Sequence, residues 1–420
     1  MWRRCDSFAA MISEPRRLLL ELYAAALRAV DGRAVVRERL AHYAAAGPVY
    51  VVAIGKAAPA MMQGALDALD ARLARALVIT KQGYAGAGPV DARLQVLEAE
   101  HPVPGSGSLA AGRALLEFLA ALPPQAAVVF LISGGTSALV EVPSPGVEVT
   151  QLRAANDWLL ASGWDIGRIN RVRRALSGIK GGRLAERLQG HAVLNLLISD
   201  VPGDEAVTIG SGLLVAPRSE DVLSGDDVQA LPAWLRALLA DTPPSAAERF
   251  SHIRTEILCR NRDARAAAIA SGRARGLAVH GSDILLQGDA AVTGRDLAAQ
   301  VLAGPPGLYV WGGETTVRLP PQPGRGGRCQ TLALAAAQVL AGSAVALLAA
   351  GTDGSDGPGE DAGALVDGET IVRGELECFD AHDCLARADA GSFLEASGDL
   401  LQTGPTGSNV MDLVLALKPA

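Results

Sequence analysis

Seven short stretches of glycine, hydroxyl and charged residues sit at the ends of apolar runs in this sequence. The first is Gly55-Lys56, after Val49–Ile54 and before an Ala/Met/Leu stretch of helical spacing over 57–69. Backbone N–H groups at a helix start favour an anion, and a lysine there adds a point charge. The plainer alternative is a surface lysine beside a turn. The pair is not a P-loop, because G-x-x-x-x-G-K-[ST] is absent. The second stretch, Ser133-Gly134-Gly135-Thr136-Ser137, offers free N–H groups and hydroxyls suited to an anion nest, or simply makes a tight strand-to-helix turn.

The third runs from Asn170-Arg171-Val172-Arg173-Arg174 to Ser177-Gly178-Ile179-Lys180-Gly181-Gly182-Arg183, a dense basic patch in an acidic chain. It reads equally as a solvated helix face or as a pocket for carboxylate or phosphate, since arginine can bind either group through two hydrogen bonds. The fourth, Ser199-Asp200-Val201-Pro202-Gly203-Asp204 with Ser211-Gly212 beyond it, puts carboxylates where they could hold Mg²⁺, orient a hydroxyl or cap a helix. The fifth, Gly312-Gly313-Glu314-Thr315-Thr316, leads to Gly324-Arg325-Gly326-Gly327-Arg328-Cys329-Gln330, where glycines bracket two arginines before a helix. The sixth, Gly351-Thr352-Asp353-Gly354-Ser355-Asp356-Gly357, suits Mg²⁺–phosphate chemistry and lacks the final glutamate of an EF-hand. The seventh, Gly404 to Asp412, is a turn that carries a hydroxyl and the amide of Asn409 into the last element. Cations for oxygens, carboxylates for a metal and tight positioning are the parts phosphoryl transfer needs.

These segments need a scaffold that brings strand ends together. Residues 14–46 read as helices; strands are expected at 49–54, 76–80, 127–132 and 193–198, with helices at 57–69 and 107–122. Alternating strands and helices predict a parallel, doubly wound, Rossmann-like α/β domain over 1–250. Continuous apolar strands such as Val128–Ile132 fit burial on both faces. Residues 218–252, with Pro232, Pro243 and Pro244, read as a connection. A mixed α/β domain is expected over 251–420, with helices near 259–275 and 329–341 and strand-like stretches at 277–286, 308–319 and 344–349.

Composition excludes several classes. Glycine supplies 47 of 420 residues, against a usual ~7%, and its clustering marks close backbone approaches. With 4% aromatics and a net charge of −7, neither a base-stacking surface nor a broad phosphate-backbone footprint is expected, so nucleic acid is not a partner. The five cysteines give no disulfide framework, and Cys378, His382 and Cys384 lack a second ligand pair for zinc. Glu14-Pro15-Arg16-Arg17 interrupts any leader after Arg3-Arg4, and no run approaches the ~18 apolar residues of a membrane span. A cytoplasmic protein is expected, with a homo-oligomer left open.

The order of the segments resembles the glycerate 2-kinase family, whose C-terminal half is called the MOFRL domain. The resemblance covers about residues 15 to 418. It rests on Ala53-Ile54-Gly55-Lys56-Ala57, His101-Pro102-Val103-Pro104, the serine-glycine segment at 133, Ile169–Gly182, Ile198-Ser199-Asp200, and the glycine-rich segments near 312, 326, 351 and 404. It implies two α/β domains with the active site in the cleft between them. It also implies ATP, Mg²⁺ and D-glycerate as ligands, with 2-phosphoglycerate and ADP as products. Lys56 and Arg328 are then the expected catalytic residues. Ser133, Gly134, Gly135, Ser137, Arg171, Lys180, Asp200, Glu314 and Asn409 are expected to bind substrate or nucleotide, and Asp353 and Asp356 the metal. Cys329, Thr331 and Leu213-Leu214 depart from the usual family pattern of asparagine, an acidic residue and Pro-Thr. The alternative activity is an NAD(P)H-dependent hydroxypyruvate reductase, although no dinucleotide fingerprint followed by an acidic residue is present.

Overall fold

The computed structural model describes residues 13–45, 47–164, 166–239 and 250–420. Arg3-Arg4 and Pro243-Pro244 lie outside the described residues. Contacts divide the chain into two units, one formed by Gly32–Leu258 and the other by the residues up to Asp31 together with Cys259–Ala420.

In the unit Gly32–Leu258, β1 (Val49–Ile54), β2 (Leu73–Lys81), β3 (Leu94–Ala99), β4 (Ala127–Ile132), β5 (Ala192–Ile198) and β6 (Ile253–Cys259) form a sheet of order β3-β2-β1-β4-β5-β6. Neighbours from β3 through β5 run parallel, as the expected α/β class requires. Val128, Phe130 and Ile132 join the core on one side, and Val129 and Leu131 are equally buried. Each fully buried side chain of this size contributes roughly 1.5–3 kcal/mol. Strand β3 was not among the expected strands: it lies at the sheet edge, and Gln95, Val96 and Glu98 are exposed, which leaves little apolar signal. Strand order reverses between β1 and β4, the position where open α/β sheets bind ligands. The register sets Ile54 beside Ile132, so Gly55-Lys56 and Ser133-Gly134 leave the sheet side by side.

The stretch expected as a connection is packed as far as it is described. Short helices Gly225–Ala230 and Ala233–Ala237 bury Leu231 and Leu235 against Leu152, Val172 and Leu176.

The other unit holds β7 (Val279–Gly281), β8 (Gly307–Gly313), β9 (Ala346–Gly351), β10 (Gly363–Asp367), β11 (Leu400–Leu401) and β12 (Asp412–Lys418), in the order β11-β10-β9-β12-β8-β7. Only the β7–β8 pair is parallel; the remaining four are antiparallel. Helix Arg328–Leu340 covers one face, burying ten of its residues from Cys329 to Leu340. Strands β10 and β12 escaped the sequence reading, and the stretch expected at 308–319 ends at Gly313.

Helix Glu14–Ala29 belongs to this second unit. Proline near its start suits the first turn, and Leu19, Leu22, Tyr23 and Ala26 make a buried stripe of helical spacing. Tyr23 donates its hydroxyl to Gly351 O at 2.8 Å, and Arg16 reaches Asp367 and Asp399 at 2.6 and 2.8 Å. A division of the chain at residue 250 separates this helix from the strands it packs on.

Candidate functional site

The parallel-sheet unit builds its site where β1 and β4 part. Gly55 has φ 130°, and a Cβ there would meet Ser133 Oγ at 2.1 Å, so only glycine lets the two loops approach. Lys56 N donates to Gly134 O at 2.9 Å, and Ala57 N donates to Ser133 Oγ at 3.1 Å. Thr136 Oγ1 donates to Ile54 O at 3.0 Å and Ser133 O at 2.7 Å. Gly135, at φ 88°, lies against Lys56 Cγ and the His101 ring, each about 3.3 Å from where its Cβ would be. Serine 133 and threonine 136 therefore hold the loops in shape, while Lys56 and His101 flank the glycine.

A cavity of about 260 Å³ opens beside this junction, just below the ~300–1,000 Å³ of drug-sized sites. It is lined by His101, Ser137, Glu141, Arg173, Lys180 and Asp200, among others. Lys180 Nζ is buried against Glu141 Oε2 and also donates to Ser137 O at 2.8 Å. Glu141 further accepts from Ser177 Oγ at 2.6 Å and Val142 N at 3.0 Å. Ser137 Oγ and Ser211 Oγ share a hydrogen bond of 2.6 Å. Ser211 has φ 60° between Gly210 at 58° and Gly212 at 63°. A left-handed serine costs on the order of 1 kcal/mol or more, and such strain clusters at ligand sites.

The mixed-sheet unit gathers acids around one arginine. Arg328 opens its helix and grips Asp412 through Nε and a terminal nitrogen at 2.6 and 2.9 Å; its other terminal nitrogen meets Glu314 Oε1 at 2.8 Å. Burial works against the charged guanidinium, but the Asp412 and Glu314 carboxylates outweigh it and its pKa is raised. Asp356 accepts from Cys329 N and Gln330 N at 3.0 and 2.8 Å, satisfying two N–H groups of the helix start. Burial and the nearby Asp412 charge push Asp356 up to about 6, against the pull of those N–H groups. Asp353 accepts from Ser355 N at 2.9 Å and Ser355 Oγ at 3.1 Å.

Among the described residues no group of three or more His, Cys, Asp or Glu is placed to hold a metal ion. Magnesium bound with a nucleotide needs only one or two carboxylates, phosphate and water completing its shell. The position a Cβ would take on Gly351 lies 3.1 Å from Asp353 Oδ1 and 3.5 Å from Asp412 Oδ1. Both oxygens of Asp353 already accept from Ser355, and both of Asp412 are held by Arg328. Asp356, expected as a ligand, has both oxygens engaged by the helix it caps.

Two family descriptions match the chain, "Domain of unknown function (DUF4147)" over residues 18–237 and "MOFRL family" over 307–412. The D-glycerate 2-kinase of Thermotoga maritima is 35% identical over 416 residues, covering 96% of this chain and 98% of that one. The chain belongs to the glycerate 2-kinase family. The crystal structure of the Thermotoga maritima glycerate kinase superposes with a TM-score of 0.82 at 34% identity, covering 96% of this chain and 99% of the other. A protein of Agrobacterium vitis named putative hydroxypyruvate reductase is 36% identical over 95% of this chain and 93% of its own length.

Within this family member the expected residues fall into three groups. Gly135, Ser137, Lys180 and Asp200 line the cavity of the parallel-sheet unit, with Lys56 and Ser133 at its β1–β4 junction. Arg328, Glu314 and Asp353 stand in the acidic cluster of the mixed-sheet unit, and Asn409 is buried in the loop before β12. Arg171 is drawn elsewhere: its Nε pairs with Asp227 at 3.1 Å, and it lines a separate cavity of about 170 Å³. Glu141, Arg173, Asn156 and Asp412 were not picked out from the sequence. Arg173 and Asp412 carried a hint, as members of the third and seventh segments.

Proposed function

We propose that this chain is an ATP- and Mg²⁺-dependent kinase that transfers the γ-phosphoryl group to the 2-hydroxyl of D-glycerate. The observation that carries the reading is the cavity at the β1–β4 switch point, with cations, hydroxyls and open glycine backbone in its wall. Its volume suits a three-carbon acid, and its lining suits charged oxygens. Relatives named glycerate 2-kinase support the substrate.

In this reading Ser137, Ser211 and Lys180 bind the acid, and Asp200 orients the hydroxyl that attacks. Lys56 offsets charge on the transferring group, with the Gly134 and Gly135 N–H groups contributing to the same anion. Arg328 stabilises the charge that develops as the bond to the leaving diphosphate lengthens. Mg²⁺ would supply neutralisation of the nucleotide's phosphate oxygens when bound, with Asp353 the carboxylate nearest to hand to hold it. No described helix is long and apolar enough to cross a membrane, and a cytoplasmic enzyme acting on small metabolites fits the reading.

Purified protein with ATP, Mg²⁺ and D-glycerate should release ADP, and phosphorus NMR should show the 2-phosphate. Exclusive 3-phosphate would overturn the regiochemistry; no ADP release with any small hydroxy acid would overturn the kinase reading. The relative named for hydroxypyruvate reduction supports a second activity. It is tested by NADH oxidation with hydroxypyruvate in the absence of ATP.

A further inference from the structure

Four arginines lie on helix Ile166–Ala175, and the structure sets one apart. Arg168 and Arg171 reach Asp227 at 2.7 and 3.1 Å, and Arg174 stands 3.5 Å from Asp221. Arg173 has no carboxylate partner among the described residues. Its hydrogen bond runs from Nε to Asn156 Oδ1 at 2.9 Å, so a neutral amide orients the guanidinium and leaves its charge uncompensated. Asn156 is itself buried and anchored through Nδ2 to Leu152 O at 3.1 Å. Both side chains line the cavity of about 260 Å³. The neighbouring cation in that wall, Lys180, is already matched by Glu141.

A half-buried guanidinium without a counter-ion is costly, and burial lowers its pKa. Nothing in the described protein offsets that cost. With Nε held by Asn156, the two terminal nitrogens remain, and their spacing matches the two oxygens of a carboxylate. Lysine could supply the charge but not the fork.

We infer that Arg173 anchors the substrate's carboxylate, making it the residue that selects hydroxy acids over uncharged polyols, with Asn156 as its positioning partner. The assignment rests on the kinase reading above and adds to it the polarity of the bound acid: carboxylate towards Arg173. Charge-assisted hydrogen bonds of this kind contribute ~1.5–3 kcal/mol, or about 10- to 100-fold in affinity.

The test is steady-state kinetics of the full-length protein and its Arg173→Gln, Arg173→Lys and Asn156→Asp variants, with D-glycerate and glycerol as paired acceptors. Arg173→Gln should raise KM for glycerate about 10- to 100-fold, leave KM for the nucleotide unchanged and lower the preference for glycerate over glycerol by the same factor. Arg173→Lys should recover part of the loss. Asn156→Asp, which hands Arg173 an internal counter-ion, should weaken glycerate while sparing glycerol. The glycerate-to-glycerol ratio is insensitive to a general loss of folded protein, so an unstable variant still reports. An unchanged ratio in Arg173→Gln and Asn156→Asp overturns the assignment. If the wild-type protein phosphorylates no acid, the kinase reading falls, and this assignment is judged by glycerate's shift of Tm without nucleotide. A shift in wild type that is lost in Arg173→Gln supports it; an equal shift in both, or none in either, overturns it.

Discussion

The loops after β4 and after β9 use one vocabulary, glycine among hydroxyl residues, and reach opposite ends. Beside β4, parallel strands deliver several loops to one edge of the sheet; polar groups tie the β1 and β4 loops together, and a cavity stays open beside them. Beside β9, antiparallel neighbours set Asp412 opposite both Gly351 and Gly313, and the polar groups close on one another. Asp412 pairs with Arg328, Asp356 caps a helix, and Asp353 accepts from Ser355. The first region is electrostatically open around Arg173, whereas the second is largely self-matched. Segment composition is therefore a poor guide to which loops wait for a ligand; sheet direction decides.

Charge removal in each region probes that difference, and the largest effects are catalytic. Lys56→Ala and Arg328→Ala should each slow turnover on the order of 10³-fold, about 4 kcal/mol of barrier. Their Tm values should part: Arg328→Ala strands the mostly buried Asp412 carboxylate and should melt several degrees lower, Lys56→Ala much less. Equal Tm losses would break the contrast. Next comes Glu141→Gln, which leaves the buried Lys180 ammonium without its counter-ion. Urea unfolding should show a loss of about 3 kcal/mol; a loss below about 1 kcal/mol would mean that Lys180 finds another partner.

A smaller effect is a pH drift. Asp356 sits near pH 6 in the folded protein against an ordinary 3.8. Between those values the folded state holds more protons than the unfolded one, so this residue's contribution is fully present below about pH 4 and is lost as pH rises through about 6. Stability of the wild type relative to Asp356→Asn should rise on acidification from pH 7 to pH 4, by up to about 1 kcal/mol per pH unit. A flat difference would show that the helix N–H groups hold Asp356 ionised throughout. Smallest, Asp353→Asn should raise the Mg²⁺ needed for half-maximal rate about 5- to 10-fold with little change in Tm. An unchanged Mg²⁺ titration would confine Asp353 to its turn with Ser355.

The sequence exposed the sheet of the first unit because buried parallel strands are uninterrupted apolar runs, as at Val128–Ile132. Edge strand β3 carries too few apolar residues to stand out, and β10 and β12 draw their partners from distant segments. The family was legible because its glycine-rich segments keep a fixed order. The choice of Arg171 over Arg173 shows where such reading stops. Ile169 and Val172 face the core, which puts Arg173 on one flank of the helix and Arg171 on the other. Both flanks carry arginine. Asp227, distant in sequence, neutralises one of them, and no local pattern announces it. The same holds for Glu141, whose partner Lys180 follows 39 residues later.

Helix Glu14–Ala29 joins strands that are synthesised long after it, and this orders events on the ribosome. The helix emerges well before its partners: Tyr23 meets Gly351 and Arg16 meets Asp367 and Asp399 only after more than three hundred further residues have been made. The unit Gly32–Leu258 has its own sheet and core and can fold meanwhile. Until residue 258 has been made, the apolar stripe of the first helix lacks the elements of its own unit, which makes it the natural handhold for a chaperone during that part of translation. A nascent chain stalled after residue 258 should display that helix, and one stalled after release of β12 should hide it.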